Sequence, residues 1–366
     1  MIAQAAPLST WFANLIAEMT GVEANWLFHA VGMLVVASAV LLLVVTPVGL
    51  GGVYLERKLC GRMQHRRGPN RVGPYGLLQS LADGVKLLAK EDIIHRGADA
   101  AIFRFAPYVV FLAAFAGFVV LPFAPGLVPA DLDVGIFFFL SLIALETIGI
   151  VMAGWSSNNK WSLLGSMREV AQVVSYELPL GIAAMCPVLA VGSLSLVSIT
   201  DAQAGPLWNW MLVRNGYYAL AMVPAFLVFY TAGLAAAKRA PFDLPEAESE
   251  LTAGFHTEYS GMRFGMFFLP EYALMLSLSG VSSALFLGGY HDPLGLSAPG
   301  AAFDGVLWWG LLWFFLKTTF LFLSQIVLRW TLPRLRIDQV MYLCYKVLLP
   351  ISMACLVLTA ALRLLG

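Results

Sequence analysis

The sequence predicts an all-α integral membrane protein: a bundle of about eight transmembrane helices with one further amphipathic helix at the cytoplasmic interface. Of the 366 residues, 60% are hydrophobic and only 12% are charged, about half the charged fraction of an ordinary soluble domain. The apolar residues are grouped in segments of about 20 residues, which is enough to cross a hydrocarbon core of ~30 Å. The charged residues lie between these segments, and most of them lie on one side.

Hydropathy predicts one continuous bundle rather than separate domains. An N-terminal extension, 1–29, contains no Lys or Arg, so we expect it on the far side of the membrane without a cleavable signal peptide. The bundle then fills 30–366. Its predicted spans are 30–54, 103–122, 134–153, 170–192, 216–237, 265–289, 306–328 and 346–364.

The basic residues orient these spans. Nineteen of the 22 Lys and Arg residues lie in four alternate loops, and a bias of this kind marks the cytoplasmic side of a membrane protein. Both termini are therefore predicted on the opposite side, in a bacterial cytoplasmic (inner) membrane. The four predicted cytoplasmic loops are 55–104, 154–169, 238–264 and 329–346.

Residues 74–90 form an amphipathic segment that is not a span. Its apolar side chains fall on one helical face, and Asp83 and two lysines lie off that face. This pattern predicts a helix lying along the cytoplasmic interface, against lipid or against a partner protein; a simple surface helix is the alternative. The apolar face consists of Leu77, Leu78, Leu81, Val85 and Leu88.

Ionisable residues inside predicted spans are costly and tend to mark ion or proton pathways, although pairing with a neighbouring helix would also explain each of them. Glu146, Glu177, Glu271 and Lys317 all lie in such positions. Glu177 is followed two residues later by Pro179, so we expect the helix to open near this carboxylate.

The loop 238–264 and the residues after it carry the densest acidic cluster. Like charges this close cannot all ionise cheaply, so some pKa values should rise. The carboxylates alternate with aromatic and aliphatic side chains, which predicts that part of the loop is buried. The acidic residues are Asp243, Glu246, Glu248, Glu250, Glu258 and Glu271.

No redox group or metal site is predicted in this chain. The four cysteines form no CxxC pair, and the five histidines are scattered. The sequence has no dinucleotide-binding glycine pattern and no set of cysteines for an iron–sulfur cluster. Nicotinamide, flavin and iron–sulfur chemistry would therefore have to belong to other chains.

Three stretches resemble the H-subunit family of respiratory complex I, the quinone-site membrane component of proton-pumping NADH:quinone oxidoreductase. They are ERKLCGRMQHRRGPNRVGPYGLLQSLADGVKLLAKED at 56–92, AGWSSNNKWSLLGSMREVAQVVSYE at 153–177 and RAPFDLPEAESELTAGFHTEYSGMRFGMFFLPEY at 239–272. Their order and spacing also match. The resemblance implies a component without redox groups that lies against the peripheral arm, forms much of the quinone chamber and starts an acidic path toward the other membrane-arm subunits. In such a component we expect the aromatic side chains of the acidic loop to pack against the peripheral arm.

The resemblance also implies roles for individual residues. Glu177 and the acidic loop would belong to the proton-coupling path. Glu146 lies outside the matching stretches, and we expect it to serve as a substitute proton site for a carboxylate that this chain lacks at position 236. Arg57, Arg66 and Asp83 would line or support the quinone passage. FMN and iron–sulfur clusters would lie in partner subunits, and neither a metal nor nucleic acid is expected on this chain. One departure is visible: the family often reads AETNRAPFD where this chain reads AAAKRAPFD, with Ala236 in place of a glutamate and Lys238 in place of an asparagine.

Two other functions are compatible with the residues. A stand-alone secondary transporter would also carry buried carboxylates and helices interrupted by proline, although no inverted repeat is visible. A homologous component of a membrane-bound hydrogenase-type complex would share the same motifs. The large charged loops on one side favour docking of a hydrophilic arm over the transporter.

Overall fold

A computed structural model of the chain describes residues 46–214, 216–246, 248–297, 300, 303 and 305–365. The N-terminal extension and most of the predicted first span, 30–54, lie outside these residues. Throughout the described part the chain forms helices and no strands, in agreement with the predicted class.

The helices follow one another with short connections. In chain order they are α1 Thr46–Met63, α2 Gln79–Ala89, α3 Ala100–Ala116, α4 Gly135–Ser156, α5 Lys160–Val191, α6 Leu196–Asp201, α7 Tyr217–Ala236, α8 Glu248–Leu251, α9 Gly261–Phe286, α10 Leu307–Thr331, α11 Ile337–Tyr342 and α12 Leu349–Leu365. Short 3₁₀ turns occur at Pro74–Gly76, Gly117–Val120, Leu207–Asn209 and Gly254–His256, and a π-helical stretch, Leu343–Leu348, joins α11 to α12.

Seven helical segments within the described residues are long and apolar enough to cross a membrane. They are α3 with its 3₁₀ extension, α4, α5, α7, α9, α10 and the continuous segment from α11 to α12. These segments match seven of the eight predicted spans. The eighth predicted span, 30–54, overlaps the described residues only at its end, in α1. The described residues therefore do not test the total number of spans.

Several helices extend beyond the predicted span limits. Hydropathy falls where charged residues begin, but the helical hydrogen bonds continue past that point. Helix α1 runs on to Met63, so Arg57 lies on a helix and not in a loop. Helix α5 begins at Lys160, where the Asn159 side chain accepts a hydrogen bond from the Trp161 N–H and caps the first turn. Only the residues 157–159 then separate α4 from α5.

Helix α5 lies at the centre of the bundle, where it packs against α4, α7 and α12. Its contact faces carry small residues: Ala183 and Ala184 are fully enclosed on α5, as are Ala225 and Ala232 on α7. Small side chains let membrane helices approach closely, where van der Waals contact replaces the hydrophobic drive. This close packing holds α5 against α7 within the bundle.

The amphipathic helix is present as α2 and packs on α1 and α9. Its apolar side chains point away from the bundle: Leu81, Val85 and Leu88 are 55%, 58% and 69% exposed. The chain itself therefore leaves this face uncovered. Contact with lipid or with a partner protein stays a prediction.

Candidate functional site

The connection from α7 to α9 brings two cations into the interior of the bundle. Lys238 and Arg239 follow the end of α7, and their side chains are only 4% and 2% exposed. Lys238 has a φ of 53°, in the left-handed region. The two consecutive side chains reach different helices, so one short turn supplies counter-charges to two buried carboxylates.

Lys238 pairs with the mid-span carboxylate of α4. Its Nζ donates to Oε1 of Glu146 at 2.5 Å, and both side chains are enclosed. Lys238 is the residue that replaces the usual asparagine of the family, and Glu146 lies on a separate span. The fold joins these two features in one ion pair. Breaking such a pair by removing one partner leaves a buried unpaired charge.

Arg239 is the centre of a second network. Its Nη2 lies 3.0 Å from Oε2 of Glu271, its Nη1 lies 3.9 Å from Oε2 of Glu56, and its guanidinium stacks 4.3 Å from the centre of the Tyr272 ring. Glu56 also accepts hydrogen bonds from the Tyr272 hydroxyl at 2.6 Å and from Arg329 at 2.5 Å. Two guanidinium groups thus hold two buried carboxylates between α1, α9 and α10.

The network continues into the acidic loop through Glu246 and Asp243. The Glu246 and Glu271 carboxyl groups form a hydrogen bond, which requires one proton between them. Burial raises the pKa of Glu246 above its ordinary value. Asp243 lies 3.1 Å from Arg334, but burial still raises the pKa of Asp243 to about 6. Asp243 can therefore change charge near neutral pH.

Other members of the predicted acidic cluster lie apart from this network. Glu250 is half exposed and pairs with Arg168 at 2.6 Å. Glu258 accepts a 2.6 Å hydrogen bond from Asn159, the residue that caps α5. The side chain of Glu248 lies outside the described residues. The structure therefore gathers Asp243, Glu246 and Glu271, and places Glu250 and Glu258 nearer the surface.

The aromatic side chains of the loop are buried, as predicted, but against a different partner. Phe255 and Tyr259 pack with Phe103, Ile150 and Phe267, and the Tyr259 ring stacks on Phe103 with centres 4.0 Å apart. All of these belong to this chain. The expectation that these aromatics pack against a peripheral arm was wrong for these residues, because α3, α4 and α9 already cover them.

Glu177 has a different position from the one expected. It is half-buried on α5, and among the described residues it has no ion-pair partner within 4.0 Å. Helix α5 continues through Pro179 and Pro187 to Val191. The predicted opening of the helix beside Glu177 was therefore wrong: the lost N–H does not interrupt the helix here.

Two buried carboxylates were missed by the sequence reasoning. Glu56 was placed in a loop because it begins a charged run, yet it is 4% exposed. Glu169 ended the predicted loop 154–169, yet it is fully enclosed on α5. The capping residue Asn159 could have indicated the position of Glu169. A helix that starts after Asn159 places Glu169 more than two turns from its beginning, inside the bundle.

Residues 57–79 form a cavity of about 680 Å³, and four of its eight lining residues are arginines, Arg57 and Arg66 among them. Arg57 donates to Asp83 at 2.5 Å, and Gln79 supports the same carboxylate at 3.2 Å. Partial burial raises the pKa of Asp83, but these hydrogen bonds outweigh it and bring the pKa below its ordinary value. The three predicted residues are thus brought together, and the volume is that of a small-molecule site.

The side chain of Lys317 is held by backbone carbonyl groups. Its Nζ donates to the carbonyl oxygens of Leu287, Gly289 and His291 at 2.6, 3.0 and 2.5 Å, and it lies 3.9 Å from the centre of the Trp210 ring. These carbonyls follow the end of α9, where backbone acceptors have no helical partner. Lys317 therefore satisfies a helix terminus on the side of the bundle away from the acidic network.

The cysteines are all free and buried. In the part of the chain that the structure describes, no group of three or more His, Cys, Asp or Glu side chains could hold a metal ion.

Comparison with known proteins identifies the family. The family model described as NADH dehydrogenase matches residues 33–360. The NADH-quinone oxidoreductase H subunit of Chlorobaculum parvum is 46% identical, over 96% of this chain and 97% of the relative. The H subunits of Anaeromyxobacter dehalogenans and Rhodospirillum centenum are 46% and 45% identical, over 93% and 90% of this chain and 84% and 94% of the relatives. With matches this extensive, the chain belongs to the NADH dehydrogenase family, among the H subunits of NADH-quinone oxidoreductase.

Proposed function

We propose that this chain is the membrane subunit of a proton-pumping NADH:quinone oxidoreductase that forms part of the quinone chamber and the start of the proton-coupling path. The names of the relatives supply the reaction class and favour a component of a complex over a stand-alone transporter. Seven apolar helices supply the membrane location. We propose the bacterial inner membrane, with the charged loops facing the cytoplasm.

The observation that carries the proposal is the junction on α1 between the cavity and the buried network. Arg57 lines the cavity and holds Asp83, while the preceding residue, Glu56, points inward to Arg329 and Tyr272. A group bound in the cavity and the buried carboxylates are therefore separated by one helical residue. A charge change in the cavity would act on Glu56 across a short distance.

The cavity suits the head of a quinone, and the neighbouring helix suits its tail. Arginines and Gln79 offer hydrogen-bond donors to quinone oxygens. The exposed apolar face of α2 lies beside them at the predicted membrane surface, where a long apolar tail can pass from lipid. Arg57, Arg66 and Asp83 are proposed to bind and orient the head in this passage.

Proton coupling is assigned to the buried acidic groups. A quinone takes up protons with its electrons, so its reduction changes the charge next to Glu56 and Arg239. Glu246 and Glu271 share a proton, and Asp243 is poised near neutral pH. Such groups exchange protons most readily when their pKa values lie near the working pH. Glu146 is proposed as the next site inward, paired with Lys238.

Three other predicted residues keep weaker roles in this proposal. Glu177 is half-buried on the surface of α5, where a neighbouring membrane-arm subunit would complete its surroundings. Glu250 and Glu258 hold the acidic loop to α5 and its cap. They are proposed to position the loop and not to carry protons themselves.

The electron-transfer groups are proposed to lie elsewhere. FMN and iron–sulfur clusters would be held by peripheral-arm subunits, which dock on the charged cytoplasmic side. This chain would contribute the quinone-binding wall and the ionisable groups. Its other partners would be the remaining membrane-arm subunits, the lipid bilayer and the quinone itself.

The test is Glu271→Gln in the assembled complex. Glutamine keeps the shape and can hydrogen-bond Glu246 and Arg239, but it cannot ionise. We expect native sizing to show a complete complex, NADH-driven quinone reduction to fall by about a hundredfold, typical of a lost proton-transfer group, and reduction of a hydrophilic artificial acceptor to stay unchanged. Asp338→Asn removes an exposed carboxylate on the same side and is the control. Full quinone reduction in the Glu271→Gln complex would contradict the proposal.

A further inference from the structure

Glu169 is a buried carboxylate with no hydrogen-bond partner. It lies on α5 with 0% exposure, and neither of its carboxylate oxygens has a hydrogen-bond donor or acceptor within the described residues. Buried polar groups are almost always hydrogen-bonded, and an ionised carboxylate without a partner is especially unfavourable in a membrane bundle. Its environment therefore requires an explanation.

Three elements meet around this carboxylate. Ser166, Glu169 and Gln172 lie at three-residue spacing and share one face of α5. At one end of that face, α4 approaches so closely that a Cβ added to Gly154 would lie 2.2 Å from the Ser166 Oγ. At the other end, the Gln172 side chain donates to the Ala235 carbonyl of α7 at 2.8 Å. Glu169 thus lies between α4 and the turn after α7.

Three charged groups on different elements act on Glu169. They are Lys238 from the turn after α7, Glu146 from α4 and Glu271 from α9. The charges of Glu169 and Glu146 both act on Tyr176, which lies two turns further along α5. The charge of Lys238 therefore acts on both Glu146 and Glu169, while its hydrogen bond goes to Glu146.

The charges of this trio balance only when one carboxyl group is protonated. Two carboxylates and one ammonium carry a net negative charge in an enclosed site, and burial disfavours that state. Lys238 lies 2.5 Å from Glu146, so Glu146 holds the negative charge in this structure. The unpartnered Glu169 is then the protonated member.

We propose that Glu169 is a proton-binding residue of the coupling path, and that Lys238 exchanges between Glu146 and Glu169 as the proton moves in the opposite direction. This inference rests on the proposed function. In one state Glu169 is neutral and Lys238 pairs with ionised Glu146. In the other state Glu146 is neutral and Lys238 pairs with ionised Glu169. One proton leaves Glu169 and one proton ends on Glu146, so the total charge is constant.

The lysine is suited to this exchange. Its ammonium is a compact charge on a flexible four-carbon chain, in contrast to the planar fork of an arginine. Arg239, the next residue, is fixed by Glu271, Glu56 and the Tyr272 ring, whereas Lys238 has Glu146 as its hydrogen-bonded partner. Glu271 acts on all three members of the trio, so a proton change in the Arg239 network reaches them.

Infrared difference spectroscopy of the intact complex, recorded as the quinone is reduced, tests the proposal. A protonated carboxyl group gives a carbonyl band that shifts in D₂O. We expect this band in the unmodified complex and its loss in Glu169→Gln. Ser175→Ala, a buried polar change on the same helix, should leave the band intact. A band that persists unchanged in Glu169→Gln overturns the assignment of the proton to Glu169.

Proton translocation into vesicles tests the exchange itself. Glu169→Gln and Lys238→Gln should each lower it by about tenfold or more, the low end of the contribution of a positioned proton-transfer group. Lys238→Arg should lower it as well, because a guanidinium can hold both carboxylates at once. Unchanged translocation in Lys238→Arg or Lys238→Gln overturns the exchange.

Two comparisons keep the outcomes separate. If Glu169→Gln fails to assemble, Glu169→Asp is the substitute variant, because it keeps an ionisable group on a shorter side chain. We then expect the carboxyl band to shift in frequency. A band at an unchanged frequency overturns the proposal. If Glu169→Gln keeps both the band and full translocation while Glu271→Gln loses quinone reduction, the inference fails and the proposed function stands. Full activity in Glu271→Gln contradicts the proposed function instead.

Discussion

The guanidinium of Arg239 lies 3.0 Å from the carboxylate of Glu271, with both side chains almost fully enclosed. The same guanidinium reaches Glu56 on α1 and stacks on Tyr272. One residue from the turn after α7 thus ties α9 to the helix that borders the arginine-lined cavity. The pair is therefore important both for the stability of this end of the bundle and for the proposed transfer of charge from the cavity to the acidic groups.

Arg239→Gln should destabilise the assembled complex. Removing one partner of a buried ion pair costs about 3–5 kcal/mol, and here two carboxylates lose a shared cation. We expect a clear fall in the temperature of thermal inactivation and less complete complex on native sizing. Arg336→Gln, which removes an exposed arginine paired with Asp338, is the matched control. Equal stability of the two variants would show that Arg239 is not a structural centre.

The pH dependence of stability should report on Asp243. Its pKa rises from an ordinary 3.8 to about 6 in the fold, so the folded state binds the proton more tightly than the unfolded chain. The stability contributed by this proton is complete below about pH 3.8 and is lost as the pH rises through about 6. Thermal stability should therefore decline across that range.

Arg334 opposes the rise in this pKa, so Arg334→Gln should move the decline to higher pH. Asp243→Asn should remove this component of the decline in either background. Thermal inactivation measured from about pH 4 to about pH 8 covers most of this range and its shift to higher pH. A pH profile that Arg334→Gln leaves unmoved would contradict the assignment to Asp243.

Arg57→Ala should impair the reaction with quinone selectively. A hydrogen bond to a charged group is worth on the order of 1.5–3 kcal/mol, but Arg57 is partly exposed, so we expect a fall of about tenfold in kcat/KM for quinone. Reduction of a hydrophilic artificial acceptor should stay normal. Lys86→Gln, which alters a more exposed neighbour of Asp83, should have little effect. Parallel loss of both activities would indicate failed assembly and not a quinone site.

Lys317→Met should reduce stability without a specific effect on proton coupling. It would leave three backbone carbonyls without their donor, and an unsatisfied buried group costs about 1–3 kcal/mol. Thermal inactivation should shift downward, while the number of protons moved per quinone in the surviving complex stays normal. Lys160→Met changes a lysine near an exposed tryptophan and is the control. A changed proton ratio would place Lys317 in the pathway.

The class of the fold was predictable because transmembrane helices show in composition alone. Segment lengths near 20 residues and the charge asymmetry between loops are local properties of the sequence. Helix ends were less predictable, as α5 shows. Its first ten residues include Lys160 and Arg168, so hydropathy excludes them, although Asn159 caps the first turn and the helix is continuous.

The acidic cluster was predictable as a set but not in its pairing. Sequence spacing could not show that Lys238 reaches Glu146 or that Arg239 reaches Glu56, because those contacts join residues far apart along the chain. It also could not separate Glu271, enclosed at the centre of a network, from Glu250 at the surface. Which carboxylates share cations depends on helix packing, and this is visible only in three dimensions.

The central claim is that the carboxylates around Arg239 couple quinone reduction to proton movement. The most direct test is the number of protons translocated per quinone reduced, measured in vesicles containing the unmodified complex, Glu271→Gln or the Asp338→Asn control. We predict that the residual turnover of Glu271→Gln moves fewer protons per quinone than the other two complexes do. An unchanged ratio at an unchanged rate of quinone reduction would contradict the claim.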